Sequence, residues 1–130
     1  MLKKIINFTD FNDVEHTTEA YFHLTKAELM KMEMRAGGGL ADKINAAVKS
    51  EDGAAMLDFF EDLILSSYGI KSEDGYSFMK VDKDGRPLAD TFKHTAAYHA
   101  LFEELASDID AATDFVNGVI PASLRKELDK

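Results

Sequence analysis

The chain has 130 residues, with 15 lysines and arginines against 24 aspartates and glutamates, and a net charge of −9. With 45% apolar and 30% charged residues, it has the composition of one ordinary globular domain rather than of a disordered chain. The acidic balance argues against a nucleic-acid partner, because phosphate neutralisation needs clustered cations. The lack of cysteine excludes disulfides, thiolate metal sites and cysteine nucleophiles.

The longest uncharged run is the ten residues Phe115–Leu124, which hold Gly118 and Pro121, so no membrane span is expected. The first residues, Met1 to Phe8, lack a long apolar stretch, so no secretory signal is expected either. Absence of cysteine fits a reducing cytoplasm.

Residues 2–9 and 14–24 read as a β-hairpin. Leu2, Lys4, Ile6 and Phe8 share one face of the first arm; Val14, Ala20, Phe22 and Leu24 share one face of the second. Asp10-Phe11-Asn12-Asp13 suits the connection, since Asn and Asp tolerate turn dihedrals. Thr25-Lys-Ala-Glu28 fits a capping box, with Leu24 and Leu29 at the two positions of a hydrophobic staple. A helix is therefore expected from about Lys26 to Ala36, stopping at Gly37-Gly38-Gly39, with a second from about Leu40 to Lys49.

A third helix, about Gly53 to Tyr68, carries Met56, Phe59, Phe60, Leu63 and Ile64 on one stripe, which makes it the central core helix. Gly69 suits a left-handed cap, with Ile70 as the apolar contact beyond it. Asp74-Gly75 and Asp84-Gly85 flank the alternating Tyr76–Val81, which suggests a small hairpin or protruding loop over 71–90. Pro87 argues against a central strand there. Thr91 or Thr95 can start a helix with Tyr98, Leu101, Phe102 and Leu105 inward. Ser107 with Asp110 suggests a fresh cap for a helix carrying Ile109, Ala112, Val116 and Val119, ended by Pro121. Leu124 and Leu128 leave room for a short last helix.

The expected fold is thus α+β and mostly α-helical. It is a single domain over 1–130: an N-terminal β-hairpin (1–24), helices (25–70), a small turn-rich insertion (71–90) and further helices (91–130), about five helices forming a bundle.

Residue-level chemistry is sparse. His94 and His99 are five apart, not the three or four that align on a helix face, and His16 and His23 fall on opposite strand faces. Asp82-Lys-Asp84-Gly85 places its glycine too early for an EF-hand calcium loop. Gly37-Gly38-Gly39 follows a helix rather than a strand, and no phosphate-loop lysine comes after it. No serine elbow or facing carboxylate pair stands out. Neither catalytic residues nor a cofactor is expected.

Two features bear on binding. Met30 and Met34 share a helix face and Met32 points nearly opposite, so one face can enter the core and one methionine should stay near the surface. Such methionines fill gaps in a small core, the plainer reading, or repack as unbranched thioethers on an adaptable binding surface. Residues 94–124 hold Glu103, Glu104, Asp108, Asp110 and Asp114 and no lysine or arginine. The plainer reading is a solvated helix face; the sharper one is a negative surface able to steer a basic partner. Candidate partner-binding residues are therefore Met30, Met32, Met34, Glu103, Glu104 and Asp108.

Five stretches, Tyr21–Met30, Glu33–Leu40, Leu63–Gly75, Thr91–Leu105 and Asp114–Pro121, in this order and spacing, resemble the tail assembly chaperones of long-tailed phages. The Val81–Pro87 turn departs from the shorter polar linker of that pattern. The resemblance implies a non-enzymatic protein that binds the tape measure protein, keeps this long helical chain soluble and promotes tail tube assembly around it. It implies action in the host bacterial cytoplasm and absence from the mature virion. Further implied partners are the tail tube protein, further copies of the chain in a homo-oligomer, and a frameshifted long form beside which this sequence is the short form. A structural or adaptor protein of the tail, of the tail completion type, is the alternative.

Overall fold

Alternation of inward and outward side chains makes a strand with one buried face, and both arms of the N-terminal hairpin follow it, with Lys4 inward and Ile5 outward as departures from the apolar-polar pattern. The computed structural model of the chain describes residues 1–35 and 53–120, apart from the side chains of 53–56. Strands β1 (Leu2–Thr9) and β2 (Glu15–Phe22) pair antiparallel in a register that sets Leu2 opposite Phe22, Ile6 opposite Thr18 and Phe8 opposite His16. Ile6, Ala20 and Phe22 on this face are buried, while Lys3, Ile5, Asn7 and Thr9 on the other are exposed.

The hairpin turn is closed by Asp10. Its Oδ1 accepts from the amides of Asn12 and Val14, and its Oδ2 lies 2.6 Å from His16 Nε2. Asp13 takes φ 64°, a left-handed conformation that aspartate tolerates. These hydrogen bonds, those from the backbone first, hold the Asp10 carboxyl below its ordinary pKa.

Helix α1 (Lys26–Arg35) follows, then α2 (Gly53–Ser67). Phe60, Leu63 and Ile64 of α2 are buried, as its stripe predicts. The expected glycine cap does not form. The chain passes straight from α2 into strand β3 (Tyr68–Lys71), in which Gly69 pairs with Tyr21 of β2 and Ile70 is exposed. A short strand β4 (Phe78–Met79) pairs with β3 and completes a four-stranded antiparallel sheet in the order β1-β2-β3-β4. Gly69 is needed for clearance: a Cβ there would sit 2.8 Å from the Met79 carbonyl oxygen and from the Phe78 ring. Both Asp-Gly turns form as expected, with Gly75 and Gly85 at φ 78°. Pro87 lies outside the strands, in an isolated bridge with Val81.

Pro87 also stands before α3 (Leu88–Phe92), a single short helix that contains Thr91. Thr95 is the true start of the next helix: its hydroxyl accepts from the Tyr98 amide at the head of α4 (Ala96–Ser107). The cap of α5 (Ile109–Val119) is Asp108, which accepts from the amides of Asp110 and Ala111, and not the expected Ser107. Ser107 instead donates back to the Glu103 and Glu104 carbonyls. Ala112, Phe115, Val116 and Val119 of α5 are buried, whereas Ile109 is 55% exposed.

The expectation of a mostly helical fold, a hairpin appended to a bundle, is overturned. The chain is α+β, with five helices among the described residues and a four-stranded sheet. Residues 68–79 extend the hairpin into that sheet. The helices therefore build the core against its inner face instead of only against one another. At the centre Phe22 is packed by the rings of Tyr68, Phe92 and Phe115, at 5.8, 6.0 and 5.2 Å between centroids. The readings of a helix over 40–49, of the glycine triplet 37–39, of Pro121 as a stop and of a last helix with Leu124 and Leu128 lie outside the described residues.

Candidate partner-binding surfaces

The capping box at the start of α1 forms as its spacing demands. The Thr25 hydroxyl accepts from the Glu28 amide at 3.1 Å, and Glu28 Oε1 accepts from the Thr25 amide at 3.0 Å. The staple residues Leu24 and Leu29 are both buried. Once Leu29 is inward, helical geometry turns Met32 inward three residues later. Met32 is half-buried against the core, while Met30 is 63% and Met34 81% exposed. The expectation of a single surface methionine is thus reversed: one enters the core and two stand outside.

Ala27, Met30 and Met34, spaced three and four apart, lie along one outward seam of α1 and are all exposed. Beside it runs a groove of about 230 Å³ lined by Leu24, Glu28, Lys31, Met32, Arg35 and Ser66. Lys80, beyond β4, closes this region. Its ammonium donates to Glu28 Oε2, to the His23 carbonyl at 2.9 Å and to the Ser66 carbonyl at 2.7 Å. Burial pushes the Glu28 carboxyl up, but the hydrogen bonds from Lys80 and Thr25 outweigh it and leave the pKa below its usual value. His23 is held low, first by burial and then by the cationic N-terminus and Lys80. Its Nδ1 is buried without a partner.

Two further clefts lie elsewhere. One of about 520 Å³ at the hairpin end is lined by Asn7, Phe8, Thr9, Glu15, His16 and Thr17. Another of about 340 Å³ is lined by Glu61, Lys93, His94, Tyr98, His99 and Phe102. In the first, the Thr17 hydroxyl donates to Asn7 Oδ1 and His16 Nε2 lies against Asp10 Oδ2. Among the described residues no three histidine, aspartate or glutamate side chains converge as a metal site would require, and no helix is long and apolar enough to cross a membrane.

The family model described as "Phage tail assembly chaperone" matches residues 1–130. The chain belongs to this family. No curated protein and no solved structure matches it. Its family is one of chaperones, which are not typically enzymes.

In this tail assembly chaperone the acidic candidates are dispersed from the methionines, and two of them are engaged within the chain. Glu103, Glu104 and Asp108 are exposed on and after α4. Glu104 Oε1 accepts from Lys4 Nζ at 2.9 Å across to β1, and Asp108 caps α5. Glu103 has no ion-pair partner among the described residues. The geometry therefore joins Met30 and Met34 on one surface, places Met32 beneath it, and does not bring the acidic trio to it. Sequence reasoning missed Lys31, Arg35 and Lys80, which border that surface. The i, i+4 spacing of Lys31 and Arg35 was the signal available for two of them; Lys80 reaches its partners across long stretches of chain and gives no local one.

Proposed function

We propose that this chaperone binds the tape measure protein, keeps it soluble and holds it ready for the tail tube to assemble around it. The observation that carries the reading is the pair of methionines left outside on α1 of a family member. Two flexible thioether side chains, both mostly exposed, cover apolar surface on another chain without demanding one fixed shape. Contacts of that kind are individually modest, which suits a client that must later be handed over to tube subunits. Several copies along one long client gain strength through multivalency.

Co-expression is expected to raise the soluble yield of tape measure fragments several-fold. The doubly substituted Met30→Glu, Met34→Glu chain should lose most of that gain while melting within a few degrees of the parent, since both side chains are exposed. No gain with any of several fragments, or a full gain with the double variant, overturns the reading.

A holding chaperone of this kind works in the host cytoplasm and leaves the client as the tube forms. Quantitative mass spectrometry of purified virions is then expected to find the chain absent. Stoichiometric amounts would instead make it a structural or adaptor subunit of the tail.

A further inference from the structure

The outward seam of α1 is flanked unequally by charge. With Ala27, Met30 and Met34 at the a, d and a positions of a heptad, Lys31 takes the e position and Arg35 lies one turn on from it. The opposite flank carries Lys26 and Glu33, one charge of each sign. Among the described residues the acidic side chains in ion pairs are Asp10, Glu19, Glu28, Glu61 and Glu104, and none of them pairs with Lys31 or Arg35. Glu28, the one carboxylate among the described residues of the adjoining groove, is already bound by Lys80. This side of α1 therefore presents an apolar seam beside two cations that have no ion-pair partner among the described residues, in a chain whose net charge is −9.

We propose that the occupant of this surface is an amphipathic α-helix whose apolar seam packs on Ala27, Met30 and Met34 and whose flank places aspartate or glutamate opposite Lys31 and Arg35. This rests on the reading of the surface as a client site and specifies the client's chemistry: an acidic-flanked helix, selected by local charge against the overall repulsion. The methionines supply adaptable contact, and the two cations fix which helices are accepted and how they lie, as e and g charges do in paired helices. The surface thereby prefers segments of the same sign as the whole protein, which bulk electrostatics alone would reject.

The test uses the full chain and two synthetic helical peptides of about three heptads, with identical leucine seams. One bears glutamate on its flanks and the other lysine. Calorimetric titration at low salt is expected to show the glutamate peptide binding about tenfold more tightly. The gap should narrow as salt is raised, and the Met30 and Met34 methyl resonances should shift on binding. The Lys31→Glu, Arg35→Glu double variant should reverse the order. A tighter lysine peptide on the parent chain, equal affinities, binding of neither, or an order untouched by the charge reversal overturns the inference. If that happens while Met30→Glu, Met34→Glu still abolishes the soluble yield of tape measure fragments, the client-site reading stands and only the acidic-helix specification falls. If the peptides behave as expected while no fragment is held in solution, the client-site reading fails instead.

Discussion

Phe22→Ala is expected to remove about 4 kcal/mol of folding stability, the middle of the range that truncating a buried phenylalanine costs. Phe22 has no solvent exposure and sits where β2, β3, α3 and α5 meet, through Tyr68, Phe92 and Phe115. Tyr68 and Phe92 are themselves stacked at 4.0 Å. That pair limits how far the walls can collapse into the space left by the ring, so most of the cavity stays open. A domain of this kind is stable by only about 5–15 kcal/mol, so the variant should unfold at a much lower urea concentration. An unchanged denaturant slope would show that stability alone had changed. Phe11→Ala is the control: Phe11 is 78% exposed at the hairpin turn, and its loss should stay within about 0.5 kcal/mol. A loss below about 1.5 kcal/mol for Phe22→Ala would mean that the aromatic cluster is not the centre of the core.

What could be read from the sequence was what depends on near neighbours. The hairpin was legible because alternation over two adjacent arms fixes the register with its turn. The start of α1 was legible because a capping box and a staple are signals four to six residues long, and the inward stripe of α2 was legible from its period. Strand β3 was not. It is four residues long, it follows a helix without a turn, and its pairing partner Tyr21 is distant in sequence, so nothing local separates Tyr68–Lys71 from a helix end with a glycine cap. That one omission turned a sheet-based fold into an expected helix bundle. Ser107 and Asp108 are both good cap residues, and the choice falls on the second because its carboxylate reaches the Asp110 and Ala111 amides.

The candidate surface was half legible. Methionines 30, 32 and 34 were rightly divided between two faces, but which face turned inward was decided by Leu29. The staple already implied Leu29 inside, and Met32 follows from it. The acidic trio was chosen by composition, which is blind to Lys4 crossing from β1 to Glu104 and to the capping role of Asp108.

Lys80→Met is the second large effect, about 2 kcal/mol of lost stability and a melting temperature lower by roughly 8 °C. The ammonium holds three elements at once: the end of the hairpin through the His23 carbonyl, the last turn of α2 through the Ser66 carbonyl, and the head of α1 through Glu28. Methionine keeps most of the stem's bulk and removes all three donations, so the loss reports the charge-assisted hydrogen bonds rather than packing. The pH dependence identifies the mechanism. In the folded parent the Glu28 pKa lies below its ordinary value of 4.5, so its contribution is complete above that value and disappears as pH falls through the folded pKa. His23, also held low in the fold, binds a proton more readily when unfolded. Its neutral burial therefore weakens the fold as pH falls from 6.5 toward the folded pKa. Without Lys80 both responses shrink, because the ammonium lowers both groups. Parent and variant melting temperatures should therefore converge as pH falls from about 6.5 to below 4.5, and the His23 ring resonances should titrate at higher pH in the variant. A difference in melting temperature that stays constant across that range would show that Lys80 acts through its hydrocarbon stem rather than through its three hydrogen bonds.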